Sequence, residues 1–281
     1  MKVINSQRRC PNLSLTGAII GDIIGSRFEF EKDILDWDIC DLFHKYSVFT
    51  DDTVQSLAIG MATISDKDYK KALTYLCNKY MFVGYGGNFT RWLNDSENMP
   101  HNSWGNGSAM RVSSIGMLAN SLEEAEKMAE VSAKCSHNSV EGIKGAKAIA
   151  GCTYLAKKQV EKSQILDYAL SLYPESQYIY HPKRFLNEYR DEYKFEVSCQ
   201  KSVPVAIRCF LESDGYISCL RNVLFINGDT DTLGAMAGSI AGAYYGFGSL
   251  CVEEILKNYL DDELFGIWKS IEEYSSKCNS I

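Results

Sequence analysis

The feature that most limits what this chain can fold into is a glycine at every fourth position of two distant apolar segments. Gly17, Gly21 and Gly25 punctuate LSLTGAIIGDIIG near the start, and Gly234, Gly238, Gly242 and Gly246 punctuate TDTLGAMAGSIAGAYYG near the end. A four-residue step keeps positions on one face of a helix. Glycine inside a helix costs about 1 kcal/mol against alanine, so a stripe of them survives only where something presses on the backbone. Gly142, Ala146 and Ala150 make a third stripe of small residues. Tight helix–helix packing accounts for all three. The same packing can also carry helix N-termini into one small volume.

Apolar spacing of i, i+3, i+4 predicts helices near 13–26, 52–65, 67–82, 108–119, 122–134, 139–158, 162–172, 201–213, 215–224, 231–246, 252–259 and 261–276. No alternating strand pattern persists, so an all-α fold is expected. Only 5 prolines stand against 21 glycines, which leaves long helices little interrupted. Residues 173–200 are polar and tyrosine-rich and contain Pro174 and Pro182; they read as a surface excursion from a single domain spanning 1–281. GYGGN (84–88) and NMPHNSWGNGSAMR (98–111) read as irregular, with Gly105-Asn106-Gly107 marking a tight loop before a helix.

The formal charge of -7 and the absence of a basic run beyond Lys183-Arg184 argue against a nucleic-acid partner. Ten cysteines are scattered with no CxxC and no zinc-type spacing, which points to a reduced, cytoplasmic compartment. Arg8 and Arg9 precede an apolar run that faintly resembles a signal peptide, but Asp22 interrupts it. No run reaches the roughly 18 apolar residues of a membrane span, and no membrane partner is expected.

Two helix starts carry the chemistry. FTDDT (Phe49 to Thr53) opens one helix and GDTDT (Gly228 to Thr232) opens another. Aspartate and threonine are favoured caps, and first-turn carboxylates suit the helix dipole, so capping explains either cluster alone. Together they are excessive, because one capping oxygen serves one start. If the clusters meet in space, four carboxylates share a pocket and must take up protons or find cations. No lysine or arginine lies near in sequence. A hard divalent metal would satisfy them, since carboxylate and hydroxyl oxygens suit Mg²⁺ and Mn²⁺.

At this point a resemblance becomes visible. GAIIGDIIGSRFE (Gly17 to Glu29), FTDDT, GYGG (Gly84 to Gly87), SWGNGSAMR (Ser103 to Arg111), SHNSVEGIKGA (Ser136 to Ala146) and GDTDTLGAMAGSIAGAYYG (Gly228 to Gly246) occur in order and cover most of the chain. The sequence resembles the ADP-ribosylglycohydrolase family, relatives of the dinitrogenase-reductase-activating glycohydrolase. The resemblance implies an all-α orthogonal helical bundle with a two-metal active-site cleft holding two Mg²⁺ ions, with Mn²⁺ a possible substitute. It implies Thr50, Asp51, Asp52, Asp229, Asp231 and Thr232 as metal ligands, and Glu29 as a mobile glutamate at the mouth. It implies Gly84, Ser103, Gly105, Asn106 and His137 as lining for ADP-ribose, with Trp104 at an aromatic position where adenine can stack. Proton transfer falls to Glu29, Asp51 or Asp52. The implied substrate is an ADP-ribosylated protein or a small ADP-ribose conjugate, and a monomer is the expected state. A non-catalytic ADP-ribose binder, or a crystallin-like structural member of the same fold, is the alternative.

The residues themselves fit these roles. A glycine loop before a helix offers backbone N–H groups to a diphosphate, and an indole offers a base a flat apolar face. Asp22 and Arg111 are expected to pair structurally. Asn227 stands where many relatives have glycine, and Val140 where bacterial relatives often have proline.

Overall fold

The computed structural model describes residues 13–29, 42–174, 176 and 186–278, and every regular element among them is helical. In chain order these are α1 (Leu13–Ser26), α2 (Asp51–Thr63), α3 (Tyr69–Lys79), α4 (Gly87–Asn94), α5 (Gly107–Met110), α6 (Ser113–Leu118) and α7 (Leu122–Lys134). There follow α8 (Val140–Lys157), α9 (Lys162–Leu172), a 3₁₀ turn at Leu186–Glu188, α10 (Cys199–Leu211), α11 (Tyr216–Ile226), α12 (Thr230–Tyr245), α13 (Val252–Tyr259) and α14 (Asp262–Cys278).

The two glycine-striped helices form the centre of this all-α bundle. They run antiparallel: Gly17 faces Gly238 and Gly242, Gly21 faces Gly234, and Gly25 faces Thr230 and Asp231. A Cβ placed on Gly21 would overlap the Gly234 carbonyl, and one placed on Gly234 would overlap that of Gly21. The seam is therefore backbone against backbone. Residues 14–25 of α1 and 230–243 of α12 are buried throughout. Helices α8, α10 and α11 pack on α12, while α2 and α6 pack on α1. Gly246 lies outside the seam; it caps α12 at φ +67, where glycine is favoured.

The third stripe meets different partners. Gly142 backs onto the Ser103 carbonyl and His137, and Gly116 of α6 presses on the Ala150 carbonyl. At Gly142 this stripe seats the loop before α5, and at Ala150 it meets α6.

Three expectations about elements change. The helix predicted at 108–119 is two helices, broken at Arg111–Val112, where the Arg111 side chain turns inward and is fully buried. Helix α4 lies in a stretch whose glycines suggested a loop; burial of Phe89, Trp92 and Leu93 holds it in place. Helix α3 begins later than predicted because Asp68 caps it, its side chain accepting from Lys71 N at 3.0 Å. In the tyrosine-rich stretch, Leu186, Tyr189 and Tyr193 are buried; residues 177–185, including Lys183 and Arg184, lie outside the described residues, as do Arg8 and Arg9. The cysteines 77, 135, 152, 199, 209, 219 and 251 are free thiols.

Candidate active site

The antiparallel seam decides where the chemistry goes. It brings the C-terminal end of α1, with Asp22 and then Glu29 in the following turn, against the N-terminus of α12. Thr230 Oγ1 donates to the Gly25 carbonyl at 2.8 Å and pins the junction. The start of α2 is tied to the same point, because Thr50 N and Thr50 Oγ1 donate to the two oxygens of Asp22 at 2.9 and 2.7 Å. Across 180 residues of sequence, Thr232 Oγ1 then donates to Asp52 Oδ2 at 3.3 Å. The two acidic helix starts share one place.

That place opens into a cleft of about 510 Å³, within the size range of small-molecule sites. Its lining holds Glu29, Thr50, Asp51, Asp52, Asp229, Asp231 and Thr232 together with Gly84, Ser103, Gly105, Asn106 and His137. No lysine or arginine is among the described residues that line it.

Capping accounts for only part of this acidity. Thr50 does cap α2, its side chain accepting from Asp52 N at 3.3 Å. Asp229 occupies the capping position of α12 but makes no capping bond; its Oδ2 accepts from Asn106 Nδ2 at 2.7 Å. Two carboxylate triads result. One oxygen each of Asp22, Asp52 and Asp231 lie within 4.8 Å of one another, and so do those of Glu29, Asp229 and Asp231. Asp231 belongs to both. Asp52 Oδ1 is buried with no hydrogen-bond partner. A buried, unpartnered carboxylate oxygen among other carboxylates is the donor set a hard divalent cation requires.

Electrostatics gives the same picture. Burial first, then the repulsion of Asp231, pushes the carboxyls of Asp22 and Glu29 up to about 7 and that of Asp51 up to about 8. Asp52 and Asp229 are pushed well above the usual carboxylate range by the same two causes. Asp231 is also raised by burial, although hydrogen bonds from Asp229 and Thr232 N hold it down. Without cations these groups cannot all be charged near neutrality.

Asp22 corrects an expectation. It does not pair with Arg111. Its oxygens take the N–H and O–H groups of both Thr50 and Thr53, so it braces the start of α2 from behind while joining one triad. Arg111 instead donates to Gln55 Oε1, Ser132 O and Ser136 Oγ.

Trp104 does not line the cleft; its side chain is about half exposed. Its chain neighbours turn inward, while its own carbonyl accepts from Cys199 N at 2.9 Å. The aromatic lining comes from Phe89 and Phe195. The loop N–H groups are also less available than a glycine loop suggests, because Gly105 N donates to Ser103 Oγ and Asn106 N to the Val197 carbonyl. His137 is buried, and burial followed by the nearby Arg111 charge pushes its imidazole down to about 3. It is a neutral ring at physiological pH. The sequence reading missed Gln55, four residues after Asp51 and donating to its Oδ2 at 2.8 Å, although helical spacing carries that signal; Phe195 and Val197, reached from a loop, left none.

Comparison with known proteins now decides the family. Residues 13–277 match the ADP-ribosylglycohydrolase family. This chain belongs to it. Among curated relatives, ADP-ribosylhydrolase ARH3 of Homo sapiens is 27% identical, with 83% of this chain and 84% of that protein covered. The Mus musculus protein of the same name is 26% identical, with 83% and 82% covered. A solved structure titled ADP-ribosylglycohydrolase-related protein complex superposes with a TM-score of 0.67 at 20% identity, covering 95% of this chain and 98% of that one; at that identity it speaks for the fold alone. Among the described residues, no helix is long and apolar enough to cross a membrane.

Both departures from common ADP-ribosylglycohydrolase sequences have local readings. Val140 is the first residue of α8, exposed, directly after the Ser139 cap that accepts from Gly142 N at 2.9 Å. Proline and other residues are both tolerated there. Asn227 sits at φ +66, ψ -171 between α11 and the GDTDT turn, a conformation almost confined to glycine. Its Oδ1 accepts from Gly228 N at 2.7 Å, which offsets part of the strain.

Proposed function

We propose that the cleft is the active site of a metal-dependent hydrolase that cleaves the bond between C1″ of ADP-ribose and a protein side chain or small conjugate. The observation that carries this reading is the pair of carboxylate triads joined at Asp231, with the unpartnered Asp52 Oδ1 between the helix starts. The relatives named ADP-ribosylhydrolase support the substrate class.

Thr50, Asp51, Asp52, Asp229, Asp231 and Thr232 would hold two ions, Mg²⁺ by preference and Mn²⁺ as substitute. When bound, such ions supply Lewis-acid polarisation of substrate oxygens and offset the diphosphate charge in an acidic pocket. Asp22 braces Thr50 so that the start of α2 keeps its geometry. Asn106 holds Asp229 in orientation through its amide. Glu29, half-buried at the mouth and grouped with Asp229 and Asp231, is placed to give or take a proton at the reacting bond. Asp51, steadied by Gln55, is the second candidate for that role. The transition state carries oxocarbenium character, as in other glycosyl transfers, and carboxylates around it stabilise the developing positive charge. Gly107, at the start of α5, lines the cleft and leaves room for the diphosphate to approach the backbone. Phe195 offers the apolar face for adenine that the resemblance assigns to Trp104.

The test offers arginine-, serine- and O-acetyl-linked ADP-ribose to the protein with Mg²⁺ and then with EDTA, beside Asp231→Asn. Turnover of one substrate with Mg²⁺ alone is expected, and the variant should lose about a hundredfold or more. Near wild-type turnover by the variant contradicts the reading. ADP-ribose binding without turnover would make the cleft a sensor.

A further inference from the structure

We propose that Arg111 and Ser136 are positioning residues that lock His137 into the Nε2–H tautomer, so that a fixed donor faces an acceptor oxygen of the bound ligand. Arg111 is fully buried, and its Nη2 lies 2.9 Å from both the Ser132 carbonyl and Ser136 Oγ. A guanidinium has donors and no acceptor. Ser136 Oγ must therefore accept from it. The hydroxyl proton of Ser136 still needs a partner, because the residue is buried. His137 Nδ1 lies 2.8 Å from Oγ. An imidazole that accepts at Nδ1 while neutral carries its proton on Nε2. Burial and the Arg111 charge keep the ring neutral.

Nε2 is placed for a ligand. A Cβ on Gly107 would lie 3.2 Å from it and one on Gly105 3.6 Å, so the glycines of the loop leave its approach open. Within the protein, Ser136 is the side chain bonded to the ring, at its other nitrogen. Arg111 also acts on Gln55, another residue of the lining. Its Nη1 donates to Gln55 Oε1 at 2.9 Å, which obliges the Gln55 amide to turn its NH₂ toward Asp51 Oδ2 at 2.8 Å. One buried cation thus orients both Gln55 and His137 without itself lining the cavity. That the acceptor is an oxygen of ADP-ribose rests on the proposed function; the tautomer does not.

The experiment uses ¹⁵N-histidine-labelled full-length protein and long-range ¹⁵N–¹H correlation spectra, without ligand, between pH 5 and 8. Wild type should show His137 protonated at Nε2 alone, with Nδ1 in the acceptor state throughout. Ser136→Ala should release the lock and give a mixture of tautomers, while Ser136→Thr, which keeps the hydroxyl, should restore it. Arg111 keeps Gln55 and Ser132 in these variants, so they disturb the core less than replacing Arg111 would. Calorimetric binding of ADP-ribose should weaken about tenfold in Ser136→Ala, the scale of one hydrogen bond, and recover in Ser136→Thr. A wild-type Nδ1–H tautomer, or an unchanged tautomer in Ser136→Ala, overturns the inference. So does a released tautomer with unchanged ADP-ribose affinity. A wild type that locks the tautomer and binds no ADP-ribose upholds the positioning and overturns the proposed function instead.

Discussion

The middle and the end of the α1–α12 seam solve close approach in opposite ways. Along Gly17, Gly21, Gly234 and Gly238 the helices meet because side chains are missing, and the contact is neutral and buried. One turn further on, Asp22, Glu29, Asp52, Asp229 and Asp231 meet although every added carboxylate repels the others. Packing can hold such groups together only if the rest of the interface is strong enough to offset the repulsion. The glycine seam is the stable part and the acidic mouth the costly part. One register of two helices determines both.

The seam should break first. Gly21→Val places side-chain atoms where the Gly234 carbonyl stands, in a contact that neither backbone can yield. A loss of about 4 kcal/mol or more is expected, read as absence of a cooperative thermal transition. The mouth should behave in the opposite sense. Asp231→Asn removes a charge from both triads, so in EDTA its melting temperature should stay level or rise, while stabilisation by added Mn²⁺ disappears. A drop in EDTA would mean that Asp231 is a structural residue of the same kind as the glycines.

The pH dependence sharpens the contrast. The carboxyls of Asp22, Glu29 and Asp51 bind protons more tightly folded than unfolded, so metal-free stability falls as pH rises toward about 7 to 8. His137 has the opposite sign: held neutral down to about 3, it adds stability as pH rises to its ordinary 6.5 and nothing beyond. Between pH 6.5 and 8 only the carboxyls contribute. Melting in EDTA should therefore drop across that window, and with excess Mn²⁺ the drop should vanish. A flat profile in EDTA would remove the electrostatic cost from the account. The smallest effect concerns the turn into the mouth. Asn227→Gly should relieve its backbone strain and raise stability by about 1 kcal/mol, measured by denaturant titration.

How much of this was legible from the residues follows the same division. The stripes predicted close helix packing because glycine spacing is a local signal; that the two glycine stripes face each other is a finding of the structure. The two Asp/Thr starts were legible as an excess over capping. Asp22 was not, because it lies inside an apolar helix and only the antiparallel register turns it toward Thr50 and Thr53. Arg111 was misread for a related reason: the break between α5 and α6 swings it away from the acids and toward Gln55 and Ser136. The resemblance gave Trp104 an aromatic role, yet its side chain is half exposed outside the lining, which takes Phe195 from a segment without periodic pattern. Periodicity reports which face a helix buries; it does not report where a loop side chain points.

The central claim is that the meeting of the two helix starts builds one cation cage with Asp231 common to both halves. Calorimetric titration of metal-free protein with Mn²⁺, wild type beside Asp231→Asn, tests it most directly. The account predicts two ions per wild-type chain and loss of both in the variant. Wild type that binds no Mn²⁺, or a variant that keeps both ions, would contradict it.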